Sequence, residues 1–269
     1  MINLQHLPKL HRRFIENSLP RFQQDSRLLG VAAGGSFLLG SMDEFSDLDL
    51  VVVVDPAHYS EVLEDRKNIA SRIGNLIESF TGEHVGEPRL LICLYGPPLL
   101  HIDLKFVSYE DIEEKVENPV ILWERENRLS DILYKTDATF PTPDPQWIEE
   151  RFWIWVHYCA TKLGRGELFE VIDFLSFLRS TVLGPLILQK NNARPQGVRK
   201  LEKYASPEQL EQLRSTIPAY DFTSCAYSLT NTIRLYKDLR TVEGNTLAEK
   251  HVNDYLQAII SKLTGKLSL

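Results

Sequence analysis

Residues 33–54 read AGGSFLLGSMDEFSDLDLVVVV, a glycine-rich turn, a connecting segment and a strand that opens with two carboxylates one residue apart. Gly34 and Gly35 tolerate backbone angles that a Cβ forbids, so the chain can fold tightly here and turn its N–H groups toward an anion. Ser36 adds a hydroxyl donor at the same place. Further on, Asp47 and Asp49 alternate with Leu48 and Leu50 and run into Val51 to Val54. On a strand, residues i and i+2 project to one face, so the carboxylates point together while the leucines point into a core. Two carboxylates this close repel each other unless a cation sits between them, and hard oxygen ligands beside a phosphate suit Mg²⁺. Taken singly, Gly-Gly-Ser is a common loop and Asp-Leu-Asp a solvated strand end. Together, in this order and with a buried-looking strand attached, they describe a nucleotide enzyme.

The chain has 269 residues, 43% of them apolar and 25% charged, which allows a sizeable core in one large domain or two ordinary ones. Cys93, Cys159 and Cys225 lie far apart in apolar or helical contexts, which reads as reduced core thiols rather than a disulfide or metal site. No run of about 18 apolar residues stands out, and the N-terminal MINLQHLPKLHRRF has no apolar stretch long enough for a signal sequence. The expectation is a cytoplasmic protein with no membrane partner. A net charge of −7 argues against nucleic acid as the main partner. Up to Thr139 there are 14 Lys and Arg against 23 Asp and Glu, and beyond it 16 against 14. The acid is thus concentrated in the part that carries the aspartates, which suits magnesium or a cationic substrate.

Taken in order, His6 to Phe22 has a helical apolar face broken at Pro20, and Leu28 to Ala33 is a short strand feeding the glycines. Asp55-Pro56 closes the aspartate strand. Tyr59 to Phe80 keeps a helical period that Thr81-Gly82 ends. Pro88 to Tyr95, the turn Gly96-Pro97-Pro98 and Leu99 to Val107 form a hairpin. In its second strand Leu100, Ile102, Leu104 and Phe106 share one face and His101, Asp103 and Lys105 the other. Asp103 is either part of an exposed face or a carboxylate kept in mid-strand for a purpose, since burying it unpaired is costly. Ser108 to Asn118 reads as a short acidic helix. Thr136 to Pro145, TDATFPTPDP, holds three prolines and is the clearest linker. It divides the chain into domains at 1–138 and 146–269. Beyond it, helical patterns at Trp147 to Leu163, Glu167 to Gln189 with an interruption at Gly184-Pro185, Pro207 to Ile217, Phe222 to Val242 and Leu247 to Leu263 should pack as a bundle. The fold class is α+β, a mixed β-sheet flanked by helices followed by an all-α helical bundle.

A hydrophobic strand, Gly-Gly-Ser and then Asp-x-Asp in a second hydrophobic strand resembles the signature of the DNA polymerase β type nucleotidyltransferases. Glu44-Phe45-Ser46-Asp47-Leu48-Asp49-Leu50 is similar to the antibiotic nucleotidyltransferases that adenylylate aminoglycosides and lincosamides. The resemblance implies a catalytic domain followed by a helical substrate-binding domain. It implies two Mg²⁺ ions on Asp47, Asp49 and a third carboxylate on a later strand, the position that Asp103 matches better than the turn-like Glu83 or Glu87. It also implies ATP as donor, with Gly34, Gly35 and Ser36 at its phosphates, and a small hydroxyl-bearing acceptor. Lys162-Leu163-Gly164-Arg165-Gly166-Glu167 and the stretch Asn191 to Tyr204 are similar to elements of the lincosamide group. Lys162 or Arg165 would approach the triphosphate, or else serve as helix C-terminal cations. Three alternatives stay open: the same fold acting on a cellular metabolite or a protein or RNA target, or as an inactive member; a helical domain that cleaves RNA, since Arg151 and His157 in RFWIWVH have the spacing of the HEPN ribonucleases; and a binding module. A homodimer is compatible with all of these.

Overall fold

The computed structural model describes residues 4–38, 40–113 and 115–267. Leu39 and Glu114, and residues 1–3 of the N-terminal stretch, lie outside it. The chain divides into two compact units, Met1–Phe140 and Pro141–Leu269.

The first unit opens with helix α1 (Lys9–Gln24). Pro20 lies inside this helix rather than ending it, because Phe22 beyond it is buried beside Ile15 and ties the last turn to the core. Strand β1 (Leu28–Ala33) leads into the glycine turn, and β2 (Leu48–Val54) follows the connecting segment. Helix α2 (Tyr59–Ile73) stops at Gly74, earlier than the helical period suggests. The residues beyond form β3 (Leu76–Gly82), which pairs antiparallel with β4 (Glu87–Tyr95). A Cβ on Gly74 would stand 2.9 Å from the Tyr95 ring, so the chain turns where only glycine fits. Strand β5 (Leu100–Ser108) completes the hairpin with β4. Residues 109–113 and 115–118 form turns and bends instead of the expected short helix, and they lead to β6 (Val120–Glu124) and α3 (Arg128–Leu133), two elements without a clear sequence pattern.

The six strands lie in the order β3-β4-β5-β2-β1-β6. Only β2 and β5 are parallel. Alternation decides which face is core: Leu48, Leu50, Val52 and Val54 of β2 and Leu100, Ile102, Leu104 and Phe106 of β5 join Ile15 and Phe22 of α1 and Val62, Ile69 and Ile73 of α2. On the opposite face, Val53 and Val107 at the far end of β2 and β5 pack against Leu129 and Ile132 of α3. Its near end carries Asp49 and Asp103.

The second unit is helical: α4 (Pro145–Arg165), α5 (Leu168–Leu178), a wide π turn at Arg179–Leu183, α6 (Gly184–Lys190), α7 (Leu201–Tyr204), α8 (Pro207–Arg214), α9 (Phe222–Leu239) and α10 (Thr246–Leu267). Pro185 lacks an N–H to give to the preceding turn, and the helix absorbs this with the π turn rather than breaking. Although Glu170, Asp173 and Arg179 interrupt it, Leu168–Lys190 is long and apolar enough on average to cross a membrane by length and composition. Here Val171, Leu175, Leu178, Val182, Leu183 and Ile187 are buried in the bundle core. Cys93, Cys159 and Cys225 are free and buried, and burial pushes the Cys93 and Cys159 thiols up to about 12.

Among the described residues, Glu149 is the charged side chain buried inside this bundle. Glu149 is only 4% exposed and accepts from Trp153 Nε1 at 3.0 Å, Tyr236 Oη at 2.5 Å and the Asn245 N–H at 2.8 Å. Burial pushes its pKa up, and these three donors with Arg240 outweigh it, so the carboxyl titrates below its ordinary range. Glu149→Ala should therefore destabilise the helical unit by about 3 kcal/mol at pH 7, since three donors lose a buried acceptor. Urea unfolding followed at the tryptophans of α4 measures this. The native contribution should be present above pH 4.5 and fade as pH falls through the lowered value.

Candidate active site

Parallel pairing of β2 with β5 sets Asp49 directly opposite Asp103, and Asp47 lies just before β2. One oxygen of each of the three half-buried carboxylates lies within 4.8 Å of those of the other two. Magnesium–oxygen bonds of about 2.1 Å place ligand oxygens roughly 3 Å apart for neighbours and about 4.2 Å across the ion, so small side-chain rotations would close this set around a cation. A donor set made only of carboxylate oxygens fits Mg²⁺ or Mn²⁺ rather than a soft metal.

Further contacts hold the carboxylates in place. The loop before Asp47 is fixed by Asp43, which accepts from the Phe45 N–H at 3.0 Å and from Ser46 Oγ at 3.1 Å. His11 of α1, fully buried, reaches the Ser46 carbonyl through Nε2 at 2.7 Å; a carbonyl only accepts, so Nε2 carries the proton. On β5, His101 Nε2 lies 2.9 Å from Asp103 Oδ1.

The glycine turn stands against the same carboxylates. Gly34 donates its N–H to the Asp49 carbonyl at 3.0 Å. Gly35 has φ +58°, and a Cβ there would lie 1.9 Å from Asp49 Oδ2, so both conformation and space require glycine. Ser36 Oγ is buried without a hydrogen-bond partner among the described residues. A buried hydroxyl left unpaired costs about 1–3 kcal/mol, which a phosphate oxygen at this turn would relieve. The Gly35 N–H donates to Glu117 Oε1 at 2.5 Å, so the turn already receives an anionic oxygen.

The structure thus brings together Asp47, Asp49, Asp103, Gly34, Gly35 and Ser36. Lys162 lies in the other unit on α4, where it donates to Glu167 at 2.8 Å, faces the Tyr158 ring and titrates higher because of Glu167. Arg165 is paired with Glu167 as well. Arg151 covers the Trp147 ring and bonds the Trp147 carbonyl, while His157 leans on Tyr255, so the two have separate partners. Glu87 is held by Arg89 at 2.7 Å and Lys105 at 2.8 Å, and Glu83 accepts from the Thr81 hydroxyl. His11 and Glu117 are the contacts that the sequence did not announce as part of the site. A signal existed for His11, which falls four residues before Ile15 on the buried stripe of α1. Glu117 had none.

Residues 15–87 match the family described as nucleotidyltransferase domain, a span that contains the glycine turn, Asp47 and Asp49. No curated protein matches the chain. Among solved structures it is similar to an aminoglycoside 6-adenyltransferase from Bacillus subtilis at 17% identity, over 94% of this chain and 96% of that one, with a TM-score of 0.36. It is also similar to a nucleotidyltransferase-like protein from Exiguobacterium sibiricum at 12% identity, over 93% and 79%, with a TM-score of 0.40. A third is a spectinomycin adenyltransferase from Enterococcus faecialis, solved with ATP and spectinomycin, at 10% identity, over 91% and 97%, with a TM-score of 0.26.

Asp103 and Glu87 are separable by experiment. Asp103→Asn should weaken Mn²⁺ binding about tenfold or more by calorimetry, the loss of one charged ligand, and Glu87→Gln should leave it unchanged. Arg89 and then Lys105 hold the Glu87 carboxyl down to about 2, below its ordinary 4.5. Its pairing should therefore add stability above pH 4.5 that is lost as the pH falls toward about 2, which carboxyl ¹³C NMR titration can follow.

Proposed function

We propose that the protein, whose residues 15–87 match a nucleotidyltransferase domain, moves a nucleoside monophosphate, AMP from ATP, onto a hydroxyl of a small acceptor of the aminoglycoside or lincosamide antibiotic class. The observation that supports this best is the triplet of Asp47, Asp49 and Asp103 beside a glycine turn whose Ser36 hydroxyl lacks a partner among the described residues. The acceptor class rests on the sequence resemblance at Glu44 to Leu50 and Lys162 to Leu168.

In this reading Asp47, Asp49 and Asp103 hold Mg²⁺, two ions in all, which when bound neutralise the triphosphate and make the acceptor hydroxyl more acidic. The Gly35 N–H and Ser36 Oγ bind oxygens of the β- and γ-phosphates. Asp103 takes the acceptor proton as general base, with His101 orienting it. The acceptor oxygen bonds to the α-phosphorus as the bond to the bridging oxygen breaks, and pyrophosphate departs with that electron pair. Holding the reactants in line accounts for much of the rate.

Purified protein with Mg²⁺, α-labelled ATP and pools of aminoglycosides and lincosamides should transfer label to a drug. Asp49→Asn should lower turnover at least about 10³-fold, roughly 4 kcal/mol of barrier. Its unfolding midpoint should hold or rise, because the substitution removes one of the repelling charges. Undiminished turnover in that variant would contradict the mechanism, and label appearing only in a pool of cellular metabolites would move the acceptor to that class.

A further inference from the structure

Glu117 lies in the turn segment between β5 and β6, half-buried and far in sequence from the residues it meets. Its Oε1 stands 2.5 Å from the Gly35 nitrogen, and a Cβ on Gly34 would come equally close to the same atom. The carboxylate therefore lies against both glycines and uses a donor that a phosphate oxygen would use. A carboxylate and a phosphate are interchangeable ligands for a backbone N–H turned outward by a glycine turn. The position is electrostatically costly, because Asp49 already presents Oδ2 to Gly35, and like charges at this range disfavour each other.

The mounting of Glu117 makes exchange simple. Before it, Lys115 donates to the Leu133 carbonyl at 2.9 Å and to Thr136 Oγ1 at 2.8 Å, and its carbonyl accepts from the Thr139 N–H. After it, Val120 pairs with Ala33 of β1. With both sides anchored, the carboxylate can leave the turn by rotating its side chain, with no unfolding of the segment.

We propose that Glu117 is a resident anion on the glycine turn, which a triphosphate oxygen displaces on binding, so that Glu117 sets the affinity for the nucleotide. This rests on the nucleotide reading given above. While the carboxylate occupies the Gly35 N–H, the turn is closed to phosphate, and the apparent affinity falls by the fraction of molecules in which it is open. The contact satisfies the donor in the unliganded protein and holds the turn in its binding shape.

Calorimetry on the full chain with Mg²⁺ and inorganic tripolyphosphate tests this. Glu117→Ala should bind tripolyphosphate about tenfold more tightly than wild type. Glu117→Gln should fall between them, since its amide oxygen still accepts from Gly35 without the charge. Mn²⁺ binding alone should weaken far less in both variants than in Asp103→Asn, since only a neighbouring charge and no ligand is lost. Circular dichroism and melting curves report folding, and Glu117→Gln decides the matter if the alanine variant does not fold. Equal or weaker tripolyphosphate binding by the folded variants would overturn the proposal, and Mn²⁺ binding weakened as much as in Asp103→Asn would overturn it by making Glu117 a metal ligand. Tripolyphosphate and Mg·ATP binding by wild type without a gain in the variants defeats the resident anion alone. Absence of both ligands from every form defeats the nucleotide reading with it.

Discussion

The parallel register between β2 and β5 is the constraint on which the site depends. It sets Asp49 opposite Asp103 on adjacent strands, which lie about 4.8 Å apart. Two such charges repel by about 1 kcal/mol in water and about 4 kcal/mol at an effective dielectric constant of 20. The register holds because Leu48, Leu50, Ile102 and Leu104, each at most 2% exposed, project from the other face of the same strands. Burying each contributes about 1.5–3 kcal/mol, so together they outweigh the repulsion. A slip by one residue would expose all four and bury the aspartates. The apolar core thus holds together a charge cluster that would otherwise separate.

The remaining parts of the site follow from that pairing. The Gly34 N–H bonds the Asp49 carbonyl and continues the sheet into the turn, and Gly35 makes room for the Asp49 carboxylate. His11 connects the buried stripe of α1 to the Ser46 carbonyl beside Asp47. At the far end of the same sheet face, Val53 and Val107 are closed under α3. On this face β2 and β5 thus carry packed valines at one end and carboxylates at the other.

Most of this was legible where the signal is local. The alternation in Asp47 to Val54 and in Leu100 to Val107 gives both strands and the side on which each carboxylate lies. The β3 strand was hidden because Leu76 and Ile77 continue the helical period of α2 past Gly74, and only pairing with β4 reveals them as a strand. The β6 strand is short and half-buried along its whole length, so it shows neither alternation nor an apolar run. The acid-rich segment before it looks helical by composition, but its structure is set by anchors such as Lys115 on the Leu133 carbonyl. Glu117 was out of reach for the same reason: its partner is 82 residues away in sequence, and nothing in VENP announces a contact with Gly35.

Three carboxylates and a glycine turn are proposed to form one metal and triphosphate site. A crystal structure of the full chain with Mn²⁺ and a non-hydrolysable ATP analogue tests it most directly. The anomalous signal should place Mn²⁺ among Asp47, Asp49 and Asp103, with phosphate oxygens on the Gly35 N–H and Ser36 Oγ. Manganese bound elsewhere, or a triphosphate that leaves Gly35 and Ser36 untouched, would contradict the account.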